Sequence, residues 1–372
     1  MNPAPVDHLN ELSTPAAIYN LGPSGLYPGT GITLLKSLEN WIAEKSVPIL
    51  LLSGPAGTGK STAAQTFVGN YVRVTHCPVI SFCFARGDSQ CSDLNRVPPT
   101  LATQLRKINQ PRLKEEIEST LEADPLIWSR SLSKQFIEFV IKPIGASLAT
   151  IPDTNQTFVI FLDNLDACQD HDILGRFMSD IKTVIANESH YNRIKILCTS
   201  RNVPSINVAF SPLIKYYRRI PIRLQDAKSD LLKCLNGSAQ DLLQMDPRWP
   251  WDAIFGHIAD TAAGNFGIAA RVLQKLRTSN VQHPDDIQQI ANTVSAEFLG
   301  TDDRVDAPRK EEKLQRPTDV PPLTILLEIL RRKEVRRLST SLPEVLIPFL
   351  ATSAHGRGGD FGNGRVHDRI TA

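Results

Sequence analysis

No apolar run in this 372-residue chain approaches the roughly 18–20 residues that a bilayer-spanning helix needs, so the sequence excludes a transmembrane segment. Neither sign of charge is in excess: the formal net charge is +2, with Lys and Arg spread along the chain. That gives no compositional case for binding nucleic acid or an anionic membrane surface. Cysteine is sparse, at six residues, and no two stand in a C-x-x-C pair. Cys83 and Cys198 sit inside apolar runs, so the thiols read as reduced core residues rather than a disulfide framework or a zinc site. The N-terminus lacks a basic stretch followed by an apolar core, which excludes a signal peptide. No solenoid-length repeat is present. These absences lead to the expectation of a soluble, intracellular, cytoplasmic protein.

What is present is the composition of an ordinary globular chain, 41% hydrophobic and 22% charged, long enough to bury a core without metal or disulfide staples. Residues 1–26, with Pro3, Pro5, Pro15, Pro23 and several glycines, read as an irregular lead-in. Leu34, Leu35, Leu38, Trp41 and Ile42 then share one face of a helix. Apolar runs at 47–52, 78–84, 157–162 and 194–198 have the length and composition of buried strands, and 217–224 is a further strand candidate. Helical patterns lie between them at 60–71, 98–108, 112–121, 134–148 and 171–187. Strands alternating with helices predict parallel crossovers and a sheet covered on both faces. The expected fold is therefore an α/β three-layer sandwich over 27–225. A small all-helical subdomain follows at 226–300, from patterns at 226–236, 251–263, 266–277 and 284–298. Residues 301–322 are charged and Pro-rich and read as a linker. Residues 323–350 form an amphipathic segment, and 351–372 a disordered tail.

The most specific signal is Gly54-Pro55-Ala56-Gly57-Thr58-Gly59-Lys60-Ser61-Thr62, a complete G-x-x-x-x-G-K-[ST] pattern between a strand run and a helix. Glycines let the backbone close around a phosphate with amides pointing inward. Lys60 supplies a point charge for the β- and γ-oxygens, and Ser61 a hydroxyl for Mg²⁺. The following helix N-terminus adds positive potential. The pattern predicts binding of ATP or ADP with Mg²⁺. No guanine-reading N/TKxD pattern is evident, which favours adenine.

A phosphate loop is served by a carboxylate at the C-terminal end of a neighbouring apolar strand, and Phe158–Leu162 ends in Asp163. An aspartate there also suits a turn or a helix N-cap; the upstream loop makes the magnesium role the preferred one. Asp166 is a candidate to polarise the attacking water, or to cap the helix near 171. Arg201, after Ile194–Cys198 and Thr199-Ser200, either contacts the γ-phosphate or lies solvated in a loop.

Together these residues resemble the NACHT-type P-loop NTPases of the STAND class, in the form common in fungal NLR-like proteins and in nephrocystin-3-like N-terminal domains. The likeness runs over about 27–277. It includes Tyr27-Pro28-Gly29-Thr30, the phosphate loop and Ser81–Gly87. It continues through Leu162-Asp163-Asn164-Leu165-Asp166-Ala167-Cys168, Thr199-Ser200-Arg201, Trp249-Pro250 and Ala263-Gly264-Asn265-Phe266 with Ala269-Ala270. The resemblance implies that Lys60 and Ser61 hold phosphate and Mg²⁺, that Asp163 holds the Mg²⁺, and that Arg201 senses the γ-phosphate. It further implies a nucleotide-dependent switch in NLR-like, innate-immunity-type signalling that oligomerises with itself or with relatives.

The sequence departs from the family pattern in several places. Ala167 stands where the family has Glu, so ATP hydrolysis is expected to be slow or absent. No effector domain precedes residue 27, no repeat array follows, and no winged-helix region is recognisable after 300. The sequence therefore reads as a truncated or mispredicted gene product. The alternative function is a hydrolysis-deficient nucleotide-binding scaffold or decoy that oligomerises with full-length relatives. A small-molecule kinase is disfavoured, because no second substrate pocket or lid arginines are evident.

Overall fold

A computed structural model describes residues 5–19, 25–150, 157–187, 193–238, 250–278 and 284–302. The chain divides into two units, Met1–Glu328 and Ile329–Ala372; the second lies outside the described residues. So do the expected amphipathic segment and tail, and all of the expected linker beyond 301–302.

Five short strands form the sheet: β1 (Ile49–Ser53), β2 (Val79–Cys83), β3 (Phe158–Asp163), β4 (Ile194–Ser200) and β5 (Tyr217–Pro221). Every pairing is parallel, in the order β2-β3-β4-β1-β5. Parallel strands need long crossovers and are buried on both faces, which is why β1 and β3 carry unbroken apolar runs and β4 one interrupted only by Lys195, all buried throughout.

The helices named in chain order are α1 (Pro5–Leu12), α2 (Ile32–Ala43), α3 (Lys60–Thr75), α4 (Val97–Lys107) and α5 (Pro111–Ala123). Then come α6 (Leu132–Phe136), α7 (Lys142–Ala149), α8 (His171–Asn187) and α9 (Pro204–Phe210). Alternation along the strands sorts these helices into two layers. Ile49, Leu51, Ile160, Ile196 and Cys198 face the core shared with α1 and α4 to α9. Leu50, Leu52, Val159, Phe161 and Leu197 face Leu38 and Trp41 of α2 and Ala64, Phe67 and Val68 of α3. This is the expected three-layer arrangement. Four helices follow: α10 (Leu224–Ser238), α11 (Trp251–Ala262), α12 (Phe266–Thr278) and α13 (Pro284–Asp302), the expected all-helical segment.

Some local structure differs from the sequence reading. The lead-in read as irregular contains α1, which begins at Pro5, where a helix tolerates the missing N–H, and buries Leu9 in the core. The Thr14 amide donates to Thr100 Oγ1 (2.8 Å) and Arg96 to the Leu12 carbonyl (3.0 Å), pinning the segment to the start of α4. The single helix expected at 134–148 contains a π turn, Ile137–Ile141, between α6 and α7. Pro143 has no N–H for the carbonyl four residues earlier, and an inserted residue accommodates that loss.

Lys195 is a buried charge in the core of β4. Its ammonium donates to the carbonyls of Glu44 and of Val47 (2.9 Å) and lies 5.6 Å from the Trp41 ring centroid, so it caps the end of α2. Burial pushes this group down from 10.5 to about 8, with nearby Glu44 opposing the shift and Arg218 adding to it. Between those two values the unfolded chain keeps a proton that the folded chain has lost, so this group's contribution to stability rises as pH climbs through that window. Urea unfolding of the wild type and of Lys195→Met at pH 7.5, 9 and 10 should show the wild type gaining on the variant as pH rises; a constant difference would contradict the assignment.

Candidate functional site

The phosphate-loop residues 54–59 span the gap between β1 and α3. Gly57 and Gly59 take φ of 72° and 83°, left-handed values that other residues resist. Thr58 Oγ1 donates to the Pro55 carbonyl (2.9 Å), closing the turn on itself. Lys60 is buried, and its ammonium folds back over the loop to the carbonyls of Gly54 (2.9 Å) and Pro55 (2.7 Å). Among the described residues no protein acceptor takes up the amides of Gly57 and Gly59. The loop thus presents backbone donors at the N-terminus of a 16-residue helix, the arrangement that suits an anion. Thr62, the last residue of the pattern, is buried within the first turn of α3.

Asp163 ends β3 and is buried. The Thr199 hydroxyl donates to its Oδ1 and the Tyr19 hydroxyl to its Oδ2. Burial raises its pKa; hydrogen bonds from Thr199, Tyr19 and Ser61, together with the positive charge of Lys60, oppose that rise. Ser61 and Lys60 of the loop therefore meet Asp163 at one edge of the sheet. The sequence reading placed this carboxylate on a strand adjacent to the loop strand. The sheet order corrects this, because β4 lies between β1 and β3. Thr199 spans the interval, since its Oγ1 also accepts from the Asn164 amide (2.9 Å).

Tyr19 is a site residue that sequence reasoning missed. Its ring stacks on Phe161 with centroids 5.3 Å apart, and its amide donates to Ser81 Oγ (3.2 Å). Cys83 Sγ lies 3.5 Å from its hydroxyl. Burial, then the neighbouring Asp163 carboxylate, holds the Tyr19 hydroxyl well above its ordinary pKa, so it stays a donor. A lone tyrosine after a Pro-rich stretch carries no sequence signal for such a role.

Asp166 and Arg201 meet on the other side of the same edge. Asp166 Oδ1 accepts from the Arg201 amide (2.7 Å) and the Ser200 hydroxyl (3.3 Å). Its Oδ2 accepts from Arg201 Nε (2.7 Å) and an Arg86 guanidinium nitrogen (2.8 Å). Both oxygens are thereby engaged, and the carboxylate ties together the segments following β2, β3 and β4. The first turn of α8 is capped by Asp170 instead, whose Oδ1 accepts from the Ile173 amide (2.8 Å). Ala167 is buried in the short turn after β3 and adds no functional group.

The donor set fits magnesium better than a metal held in an all-protein cage. No group of three or more His, Cys, Asp and Glu side chains is placed to hold an ion among the described residues. A cation beside Ser61 and Asp163 would draw its other ligands from water and phosphate, as Mg²⁺ does.

Residues 29–201 match the family model described as Nephrocystin 3, N-terminal. This span, a little under half of the chain, is similar to that domain. Its phosphate loop, Asp163 and Arg201 all fall inside the matched residues, and the chain contains a P-loop nucleotide-binding domain. No curated protein matches the sequence. Among solved structures, C. elegans PCH-2 is similar at 13% identity and a TM-score of 0.39, over 75% of this chain and 72% of that one. A Drosophila ORC structure bound to poly(dA/dT) DNA and Cdc6 is similar at 10% identity and a TM-score of 0.36, over 72% of this chain and 41% of that one. No helix among the described residues is long and apolar enough to cross a membrane.

Proposed function

We propose that the chain binds ATP or ADP with Mg²⁺ at residues 54–62 and works as a cytoplasmic, NLR-like signalling switch that assembles with itself or with relatives. The observation that carries the reading is the convergence of Ser61 and Lys60 from the loop on Asp163 from β3. Loop amides and Lys60 would hold the phosphates, and Ser61 and Asp163 the metal. Bound Mg²⁺ would neutralise charge between the β- and γ-phosphates. Arg201, on the same edge, would report the γ-phosphate by exchanging part of its hold on Asp166 for the nucleotide. Calorimetric titration with ATP, ADP and GTP, with and without Mg²⁺, tests this together with a turnover assay. Binding that is indifferent to Mg²⁺, or no binding at all, would refute it.

A second reading, tight binding with little or no hydrolysis, is favoured by the engagement of Asp166. A carboxylate whose two oxygens each already accept two hydrogen bonds has no acceptor site turned to an attacking water, and Ala167 supplies no replacement. Turnover that is negligible despite saturable Mg·ATP binding would select this reading.

Both oxygens of Asp163 carry a hydroxyl donor, Thr199 on Oδ1 and Tyr19 on Oδ2, and a metal on Oδ2 would compete with Tyr19. Tyr19→Phe removes that competitor and keeps the stack on Phe161. The Mg²⁺ concentration that half-saturates nucleotide binding should fall by about tenfold, the lower end for a hydrogen bond to a charged group. An unchanged or higher requirement would show that Tyr19 does not compete.

A further inference from the structure

The phosphate loop is held from outside the sheet. The turn between α11 and α12 takes Ala263 and Gly264 through left-handed φ of 48° and 87° and sets Asn265 and Phe266 against the loop. The Phe266 amide donates to the Gly57 carbonyl (2.8 Å), and Asn265 Nδ2 donates to the Ala56 carbonyl (3.1 Å). The same side chain works in a second direction. Its Oδ1 accepts from the amides of Gly267 (2.9 Å) and Ile268 (3.2 Å), capping the first turn of α12. Asn265 is itself buried. A Cβ at Gly57 would come within 1.9 Å of Asn265 Oδ1, so this glycine is required by the turn as much as by the loop's own conformation.

We propose that Asn265 is a positioning residue for the phosphate loop, and that it couples the shape of the loop to helix α12. The proposal rests on the nucleotide-binding reading for its functional consequence but not for its physical test. Two carbonyls on the outside of the loop, Ala56 and Gly57, are fixed by donors from the turn. With these carbonyls pinned, the peptide planes they belong to are fixed as well, and so are the N–H groups of Gly57 and Thr58 that share those planes. Any movement of those peptides on filling the loop would act on the cap of α12. A side chain that caps a helix with its oxygen and grips a loop with its nitrogen transmits displacement between them, because neither bond can be kept while the other is stretched.

The test separates cap from grip. Asn265→Ser keeps a good N-cap oxygen but cannot reach the Ala56 carbonyl with a donor. Asn265→Asp, the second variant, keeps both amide acceptances and loses the N–H. Hydrogen exchange of the peptide covering 54–61, without nucleotide, should be faster by about fivefold or more in both variants, while exchange of α12 beyond its first turn stays as in the wild type. With Mg·ATP added to the wild type, protection should appear in the loop and also at the start of α12; in Asn265→Ser the second effect should be lost. Unchanged loop exchange in a folded Asn265→Ser or Asn265→Asp protein would overturn the proposal. If the wild type showed no nucleotide-induced protection anywhere, the nucleotide reading would fail, and the nucleotide-free exchange would still decide for or against the positioning role.

Discussion

Lys60→Ala is expected to weaken ATP and ADP binding by about a hundredfold. The ammonium is buried at the mouth of the loop, held by the Gly54 and Pro55 carbonyls, and beside Asp163. It can therefore turn to a phosphate without first being collected from solvent. A charge-assisted hydrogen bond to an anion contributes roughly 1.5–3 kcal/mol, and the upper part of that range corresponds to about a hundredfold in Kd. Calorimetry on the variant, with circular dichroism to confirm folding, checks it. Loss of binding alongside an unfolded spectrum would not count in favour, so the comparison uses only conditions in which the variant melts cooperatively. Affinity within a few-fold of the wild type would remove the loop from the function.

Asp166→Ala should carry the largest stability effect. This carboxylate accepts two bonds from Arg201, one from Arg86 and one from Ser200, and its side chain is 1% exposed. Breaking a buried ion pair by removing one partner costs about 3–5 kcal/mol. The lower end applies here, because the Arg86 side chain is 39% exposed and can turn to water. About 3 kcal/mol in a domain of this size lowers Tm by roughly 6–12 °C. Differential scanning calorimetry reads the shift directly. A change below about 2 °C would mean that the arginines find other partners at little cost. The size of this expected effect also bears on chemistry, since a residue that knots three strand ends together is poorly placed to take a proton from water.

Much of this architecture was legible in the residues, for physical reasons. Buried parallel strands must be apolar on both faces, so Ile49–Leu52 and Phe158–Leu162 stood out as unbroken runs, and Ile194–Cys198 as one broken only by Lys195. The phosphate loop was legible because its backbone needs glycine at the positive-φ positions Gly57 and Gly59. Strand order was not legible. Nothing in a parallel strand's own sequence says which neighbour it takes, and the insertion of β4 between β1 and β3 emerges only from the pairing. Tyr19 and Asn265 were missed as site residues because each reaches the site through contacts far away in sequence, and neither lies in a run with a characteristic period. The helix Pro5–Leu12 was obscured by the surrounding prolines, one of which only marks its first turn. For Asp166, the sequence offered a base or a cap, and the partners seen in space are two arginines instead.

The strand inserted between loop and carboxylate has a consequence for biosynthesis. A ribosome making this protein would release Gly54–Ser61 first and Asp163 much later, yet the two could not be set at their working separation until Ile194–Ser200 had emerged to occupy the lane between them. Contacts of such sequence separation form late and slowly. A nascent chain ending before Ile194 would thus display both halves of a nucleotide site with no way to bring them into register, and capture of nucleotide would mark the moment at which β4 has joined β1 to β3.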